Sequence, residues 1–258
     1  MQPHFTPASL KFLRSLARNN ARDWFNANKP AYETSLKAPL LEVITAINKG
    51  LQAFAPDHLR EPSKCAMRIY RDIRFSPNKL PYKTHVAAWW ARKGLEKTSG
   101  AGFYFQLDPK QITVAAGAYM PEKDQLLAIR RMLLDHHEEV RKALRAKGLE
   151  PFDGVKMSRG PKGFDPTNPA ADLILQRQWG LSAQLPAALA LTPALVPKIL
   201  SLFRAATPLV TLLNAPLTSR SRKPLFYTTP ALAPGRRDPS VPLPPHRRAQ
   251  PNHPKPQN

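Results

Sequence analysis

Five cations and a single acid crowd the stretch MRIYRDIRFSPNKLPYKTH, residues 67–85. Arg68, Arg71, Arg74, Lys79 and Lys83 surround Asp72, with Asn78 and Tyr82 set among prolines 77 and 81. Arginine forks match the oxygens of phosphate or carboxylate two at a time, so this composition points to anion binding. Two like charges about 6 Å apart repel by about 2–3 kcal/mol at an effective dielectric near 20. One local acid does not neutralise five cations. Distant carboxylates, solvent or a bound anion must offset the remainder, and a network that only braces the fold uses the same residue types. Asp72, held among arginines, stays ionised at neutral pH. That suits fixing an arginine rotamer, orienting a group or holding a cation better than donating a proton. Asn78 and Lys79 fall in loop context, where functional side chains are often displayed. Tyr82 either stacks on a ligand ring or closes the loop.

If residues 67–75 are extended, Met67, Ile69, Ile73 and Phe75 share one face, with Arg71 intruding, and Arg68, Tyr70, Asp72 and Arg74 share the other. A helix would group Arg68, Arg71, Asp72 and Phe75. The prolines favour a strand that turns into a loop. The run Arg68-x-x-Arg71-Asp72-x-Arg74-Phe75-x-x-Asn78-Lys79-x-x-Tyr82 resembles the signature of the domain of unknown function 2461 family. The segments NNARDWFNANKPAYE, GFYFQLDP, AAGAYMPE and RGPKGFDPTNPAADL agree with it. The resemblance spans roughly residues 5–217. It implies no activity, ligand or cofactor, and carries the motif residues as a shared feature without roles.

Other constellations are weaker. In LLDHHEEVRK (133–142), adjacent histidines lie about 100° apart on a helix and do not chelate together. Asp135 with Glu138 reads as a helix start instead. In NNARDWFNANKP (19–30), Asn20 with Asp23 reads as a cap and Trp24 with Phe25 as core, while Arg22 and Lys29 are candidates to join the basic site. MSRGPKGFDP (157–166) lacks phosphate-loop spacing and reads as a surface turn. There is no nucleophile elbow, zinc-protease helix or dinucleotide fingerprint, and no cofactor is assigned.

The elements that position the motif follow from periodicity. Thr6-Pro7, Thr192-Pro193 and Thr207-Pro208 each read as a cap hydroxyl before a first-turn proline. A helix from about 31 to 54 carries the stripe Leu36, Leu40, Ile44, Ile47 and Leu51, with Pro39 marking a kink or a late start. Phe103–Leu107 and Ile112–Ala116 read as strands joined through Asp108-Pro109, HVAAWWARKG and residues 65–70 as further strands, and 176–181 as an edge strand. Helices return after Pro121, restart at Asp135 and close at Gly148. The fold class is α+β: a mainly antiparallel sheet of about four to five strands packed between N-terminal and C-terminal helices. Residues 1–217 form one domain.

Residues 218–258 hold ten of the 29 prolines, eight Lys or Arg and one acid. They read as a basic disordered tail. The chain carries 39 Lys and Arg against 18 acids, a net charge of +21. Such charge favours phosphates, nucleic acid or anionic lipid over acidic proteins. With no apolar run of 18 residues, no signal-peptide pattern and the lone Cys65, the sequence predicts a cytoplasmic protein without a membrane partner, and it assigns no oligomeric state. The leading expectation is binding of a phosphate-bearing ligand, a nucleotide or nucleic-acid end, at Arg68–Lys83. The alternative is a non-catalytic nucleic-acid or scaffold-binding protein that acts through overall charge and the tail.

Overall fold

The first helix, α1 (Pro7–Arg18), opens at the expected Thr-Pro pair, and Leu10, Leu13 and Leu16 are buried along its inner stripe. The computed structural model describes residues 3–95 and 100–218, so the expected tail lies outside the described residues except for Thr218. Helices α2 (Arg22–Ala27) and α3 (Lys29–Tyr32) follow, and a π-helical turn, Glu33–Lys37, leads into α4 (Ala38–Leu51). Coiling thus begins at Lys29, ahead of the expected start, and one widened turn absorbs Pro39. That proline has no N–H for the Ser35 carbonyl. The Ser9 hydroxyl donates to this carbonyl at 2.6 Å instead, tying α1 to the bulge. Leu36 in the π-helical turn and Leu40, Ile44, Ile47 and Leu51 in α4, the five expected stripe residues, are all buried.

After the short helix α5 (Pro62–Cys65), the chain makes the strands β1 (Val86–Trp90), β2 (Gly102–Leu107) and β3 (Gln111–Ala118). Asp108 accepts from the amides of Lys110 and Gln111 at 2.7 and 3.0 Å, closing the β2–β3 turn. Helix α6 (Lys123–Ala143) bends at His136, where φ is −123° and ψ 21°, next to the restart expected at Asp135. It stops at Ala143, short of Gly148. The remaining elements are β4 (Glu150–Pro151), α7 (Ala171–Ile174), β5 (Trp179–Pro186) and α8 (Leu195–Thr218).

The sheet is antiparallel throughout, in the order β1-β2-β3-β5-β4. The strand expected at an edge near 176–181 is therefore inserted between β3 and β4, and the two-residue β4 forms that edge. Residues 65–70 contribute isolated bridges, Ala66 to Ala88 and Tyr70 to Tyr82, in place of a full strand.

Alternation divides the sheet cleanly. Val86, Ala88, Trp90, Phe103, Phe105, Leu107, Ile112, Val114, Ala116 and Leu181 face inward and are buried. Helix α8 covers this face, with Phe203 against Phe103 and Trp90 at centroid distances of 4.8 and 5.6 Å. Phe5, ahead of α1, stacks on Phe105. Each such ring or aliphatic side chain taken out of water contributes about 1.5–3 kcal/mol.

Thr207-Pro208 does not open a helix. Both residues lie inside α8. The apolar face of α8 outweighs the bond that Pro208 cannot make, and the Thr207 hydroxyl donates to the Phe203 carbonyl at 2.8 Å. By length and composition alone α8 is apolar enough to cross a membrane. Here ten of its residues fill the core. Buried Asn214 bonds both backbone groups of Ala101 at 2.9 Å, fixing the approach to β2.

Candidate functional site

The basic stretch folds as an irregular hairpin on the free side of β1. Met67 N–H donates to the Ala87 carbonyl, Lys83 N–H to Ile69 and Arg71 N–H to Pro81, at 2.8, 2.8 and 2.9 Å. Its base is anchored by burial. Ile69 and Tyr82 are each 3% exposed, and Phe25 of α2 stacks on Tyr82 at 4.1 Å. Asn20 clamps Tyr82 from the other side: its amide nitrogen donates to the Tyr82 carbonyl and its oxygen accepts from the Tyr82 N–H, both at 3.0 Å. Asn20, read from sequence as a helix cap, is thus a brace for the motif.

Beyond this base the motif side chains mostly build the tip. The Arg71 guanidinium donates to the Leu80 carbonyl at 3.2 Å and reaches Ser76 Oγ at 3.4 Å. Lys79 Nζ donates to the Ile73 carbonyl at 3.1 Å. Asn78 Oδ1 accepts from the Leu80 amide at 3.0 Å, an Asx turn. Arg74 grips Asp72 with both arms of its fork, at 3.0 and 2.8 Å. These bonds, with the Arg74 backbone N–H, hold the Asp72 carboxyl down to about 2. Arg22 joins this corner as expected, lining a cavity of about 330 Å³ with Asn26, Tyr70, Arg71, Ile73, Pro81 and Tyr82. Lys29 does not line it.

Arg68 and Lys83 remain. Neither has an ion pair or side-chain hydrogen bond among the described residues. Lys83 is partly buried, and burial followed by the Arg68 charge lowers its pKa. Two positions on, His85 is also pushed down by burial and by Lys83, against the pull of Asp108, so its ring favours the neutral form.

His85 and Asp108 extend the outer face of the sheet, where a trough of about 480 Å³ runs across β1, β2, β3 and β5. The pairing register places Trp89, Tyr104, Ala115 and Ser182 in one row, and Ala87, Gln106, Thr113 and Gln184 in the next. Met67 bounds the trough beside β1, and Tyr119, Met120 and Phe152 bound it elsewhere. Gly102 and Gly180 belong to a third row. A Cβ on the former would sit 2.7 Å from the Trp89 ring, and one on the latter would run into the Phe152 ring. The missing side chains let both aromatics lie close over the sheet.

The polar groups of the trough are neutral. The Tyr104 hydroxyl donates to Gln106 Oε1 at 2.7 Å, and Thr113 Oγ1 donates to Gln184 Oε1 at 2.9 Å. Burial, then the neighbouring Tyr119, pushes the Tyr104 phenol up to about 12, so it keeps its proton. Among the described residues, no carboxylate or basic group lines the trough. The arrangement can hold a flat, partly polar ring between aromatics and offer amide and hydroxyl groups to its edge.

Sequence reasoning missed this trough. Its signal was the alternate set Trp89, Tyr104, Gln106, Thr113, Ala115, Ser182 and Gln184, which is what a solvated sheet face also looks like. Elsewhere, the turn 157–166 is closed by Asp165, which accepts from the Thr167 amide and hydroxyl at 2.8 and 2.7 Å. His136 and His137 face Glu139 and Glu138 respectively. Among the described residues no group of three or more His, Cys, Asp or Glu is placed to hold a metal ion.

Fold and site together define an α+β protein whose antiparallel sheet is covered by helices on one face and keeps a trough on the other, beside a basic hairpin. The chain belongs to a family described as conserved hypothetical protein (DUF2461), whose model matches residues 8–212. Comparison with the curated proteins finds no match.

Proposed function

We propose that this protein binds a phosphate-bearing ligand, a nucleotide or a nucleic-acid end, with its phosphate between Arg68 and Lys83 and its base in the trough. One observation carries the reading. Lys83 is partly buried near the Arg68 charge, without a carboxylate partner among the described residues, and Met67, next to Arg68 in the chain, lines the aromatic-walled trough. A phosphate there supplies the counter-charge that the hairpin withholds. Asp72 is committed to Arg74, while Arg71, Lys79 and Asn78 hold the tip and Tyr82 anchors it, so these motif residues position the two cations. Neutral Tyr104, Gln106, Thr113 and Gln184 give the base edge donors and acceptors. Among the described residues no acid–base pair lines the trough, so the reading is of binding, with catalysis unsupported.

Thermal shift and calorimetry with inorganic phosphate and nucleoside monophosphates at low salt test this. The wild type is expected to be stabilised by both, more by the nucleotides, and the Arg68→Ala/Lys83→Ala variant by neither. A wild type that responds to neither overturns the proposal.

The total charge of +21 favours a second reading, in which the chain binds nucleic acid diffusely and residues 218–258 contribute. Each phosphate neutralised steepens the log–log salt dependence by about 0.9. Removing residues 218–258 flattens that slope if the tail dominates, and leaves a saturable nucleotide site unchanged if the first reading holds.

A further inference from the structure

We infer that the physiological ligand is single-stranded nucleic acid, laid along a track from the trough, past Arg68 and Lys83, to Phe75 at the hairpin tip. The inference rests on the reading above and adds the ligand class.

Phe75 carries the argument. Its side chain is 93% exposed, more than any other large apolar side chain in the described chain, and Leu80 on the same tip is 45% exposed. This is not a loose loop that happens to hold an aromatic. Arg71 bridges the tip to Leu80 and Ser76, Lys79 ties down Ile73, and Asp72 fixes Arg74. The guanidinium of Arg74 lies 5.7 Å from the Phe75 ring centroid. The hairpin thus presents one ring, with the Arg74 cation against it, to whatever approaches.

The charge selects the partner. With five cations and one acid, the hairpin repels basic surfaces and attracts a polyanion. Aromatic platforms interleaved with cations bind single strands by stacking bases and tracking phosphates. A duplex keeps its bases stacked on each other and cannot lend one to the trough. An anionic bilayer would engage Phe75 and Leu80, yet it would leave Tyr104, Gln106, Thr113 and Gln184 without a role. From Met67, on the trough wall, to Phe75 is eight residues, at most roughly 28 Å. That is the scale of a site a few nucleotides long.

Fluorescence anisotropy on the full chain at fixed salt tests the inference, with a mononucleotide, oligonucleotides of increasing length, the matching duplex and phosphatidylserine vesicles as probes. Affinity is expected to climb over the first few nucleotides and then level off. Phe75→Ala is expected to weaken the longer oligonucleotides about 5- to 150-fold, the range for one lost stacking contact, and the mononucleotide little. Arg68→Ala/Lys83→Ala is expected to weaken both. Mononucleotide binding with no length dependence and no effect of Phe75→Ala overturns this inference and leaves the phosphate reading standing. Loss of all nucleotide and phosphate binding removes both. Preference for the duplex, or for vesicles in a Phe75-dependent manner, overturns it in favour of that partner.

Discussion

Asn20→Ala is the sharpest probe of how the hairpin is held. Asn20 lies between α1 and α2, yet its amide satisfies both backbone groups of Tyr82, 62 residues away, at 3.0 Å each. A typical intramolecular hydrogen bond contributes about 1 kcal/mol net, and a donor or acceptor left unpaired when buried costs about 1–3 kcal/mol. The site is partly buried, so water replaces some of what is lost, and the expected destabilisation is about 2–3 kcal/mol. For a domain of this size each kcal/mol moves the melting temperature by about 2–4 °C, giving a fall of about 4–12 °C. Asn20→Asp keeps the acceptor for the Tyr82 N–H and loses the donor, so it should fall between. Asn19→Ala is the control, because its bond to the Ser15 carbonyl is exposed. It should stay within about 0.5 kcal/mol of wild type. Thermal and urea unfolding give the energies, and hydrogen exchange shows where they act: the Arg71 and Lys83 amides, bonded to Pro81 and Ile69, should lose protection first. Asn20→Ala melting within 1 °C of wild type, with those two amides still protected, would refute the clamp.

Two further outcomes follow from burial. The Tyr32 and Tyr104 phenols are pushed up to about 12, chiefly by desolvation, whereas the unfolded chain ionises them near 10. Their stabilising contribution is complete below about pH 10 and is lost as pH rises toward 12, so Tyr32→Phe/Tyr104→Phe should flatten the alkaline limb of stability against pH; an unchanged limb contradicts the burial argument. Gly180→Ala should lower stability by about 1–3 kcal/mol in urea, because its Cβ meets the Phe152 ring and comes within 2.8 Å of the Ala116 carbonyl. Adding Phe152→Ala should restore only part, since the carbonyl remains; full recovery would show the backbone contact to be unimportant.

Where side-chain alternation or a helical stripe was strong, sequence and structure agree. Phe103, Phe105 and Leu107 against Ile112 and Val114 already describe two buried strands. The misplaced elements are those decided by distant neighbours. In β5, WGLSAQLP has no β-branched residue, and it becomes a strand because β3 offers a full-length partner. Thr207-Pro208 carries the same local signal as Thr6-Pro7, but there the buried face of α8 overrides it. The site divides in the same way. Its cations were visible as a cluster. Their division into tip-builders, Arg71, Arg74 and Lys79, and side chains that make no hydrogen bond among the described residues, Arg68 and Lys83, needed the hairpin register. The trough stayed hidden because small and polar residues on alternate positions also describe a face that meets only water.

The insertion of β5 between β3 and β4 bears on how the chain emerges during synthesis. Until Trp179–Pro186 leaves the ribosome, β3 displays unpaired amides and carbonyls along its whole length, and β4 has nothing to join. Nascent chains stalled before that point expose a sticky border, which makes the interval up to β5 the one in which chaperone protection matters most.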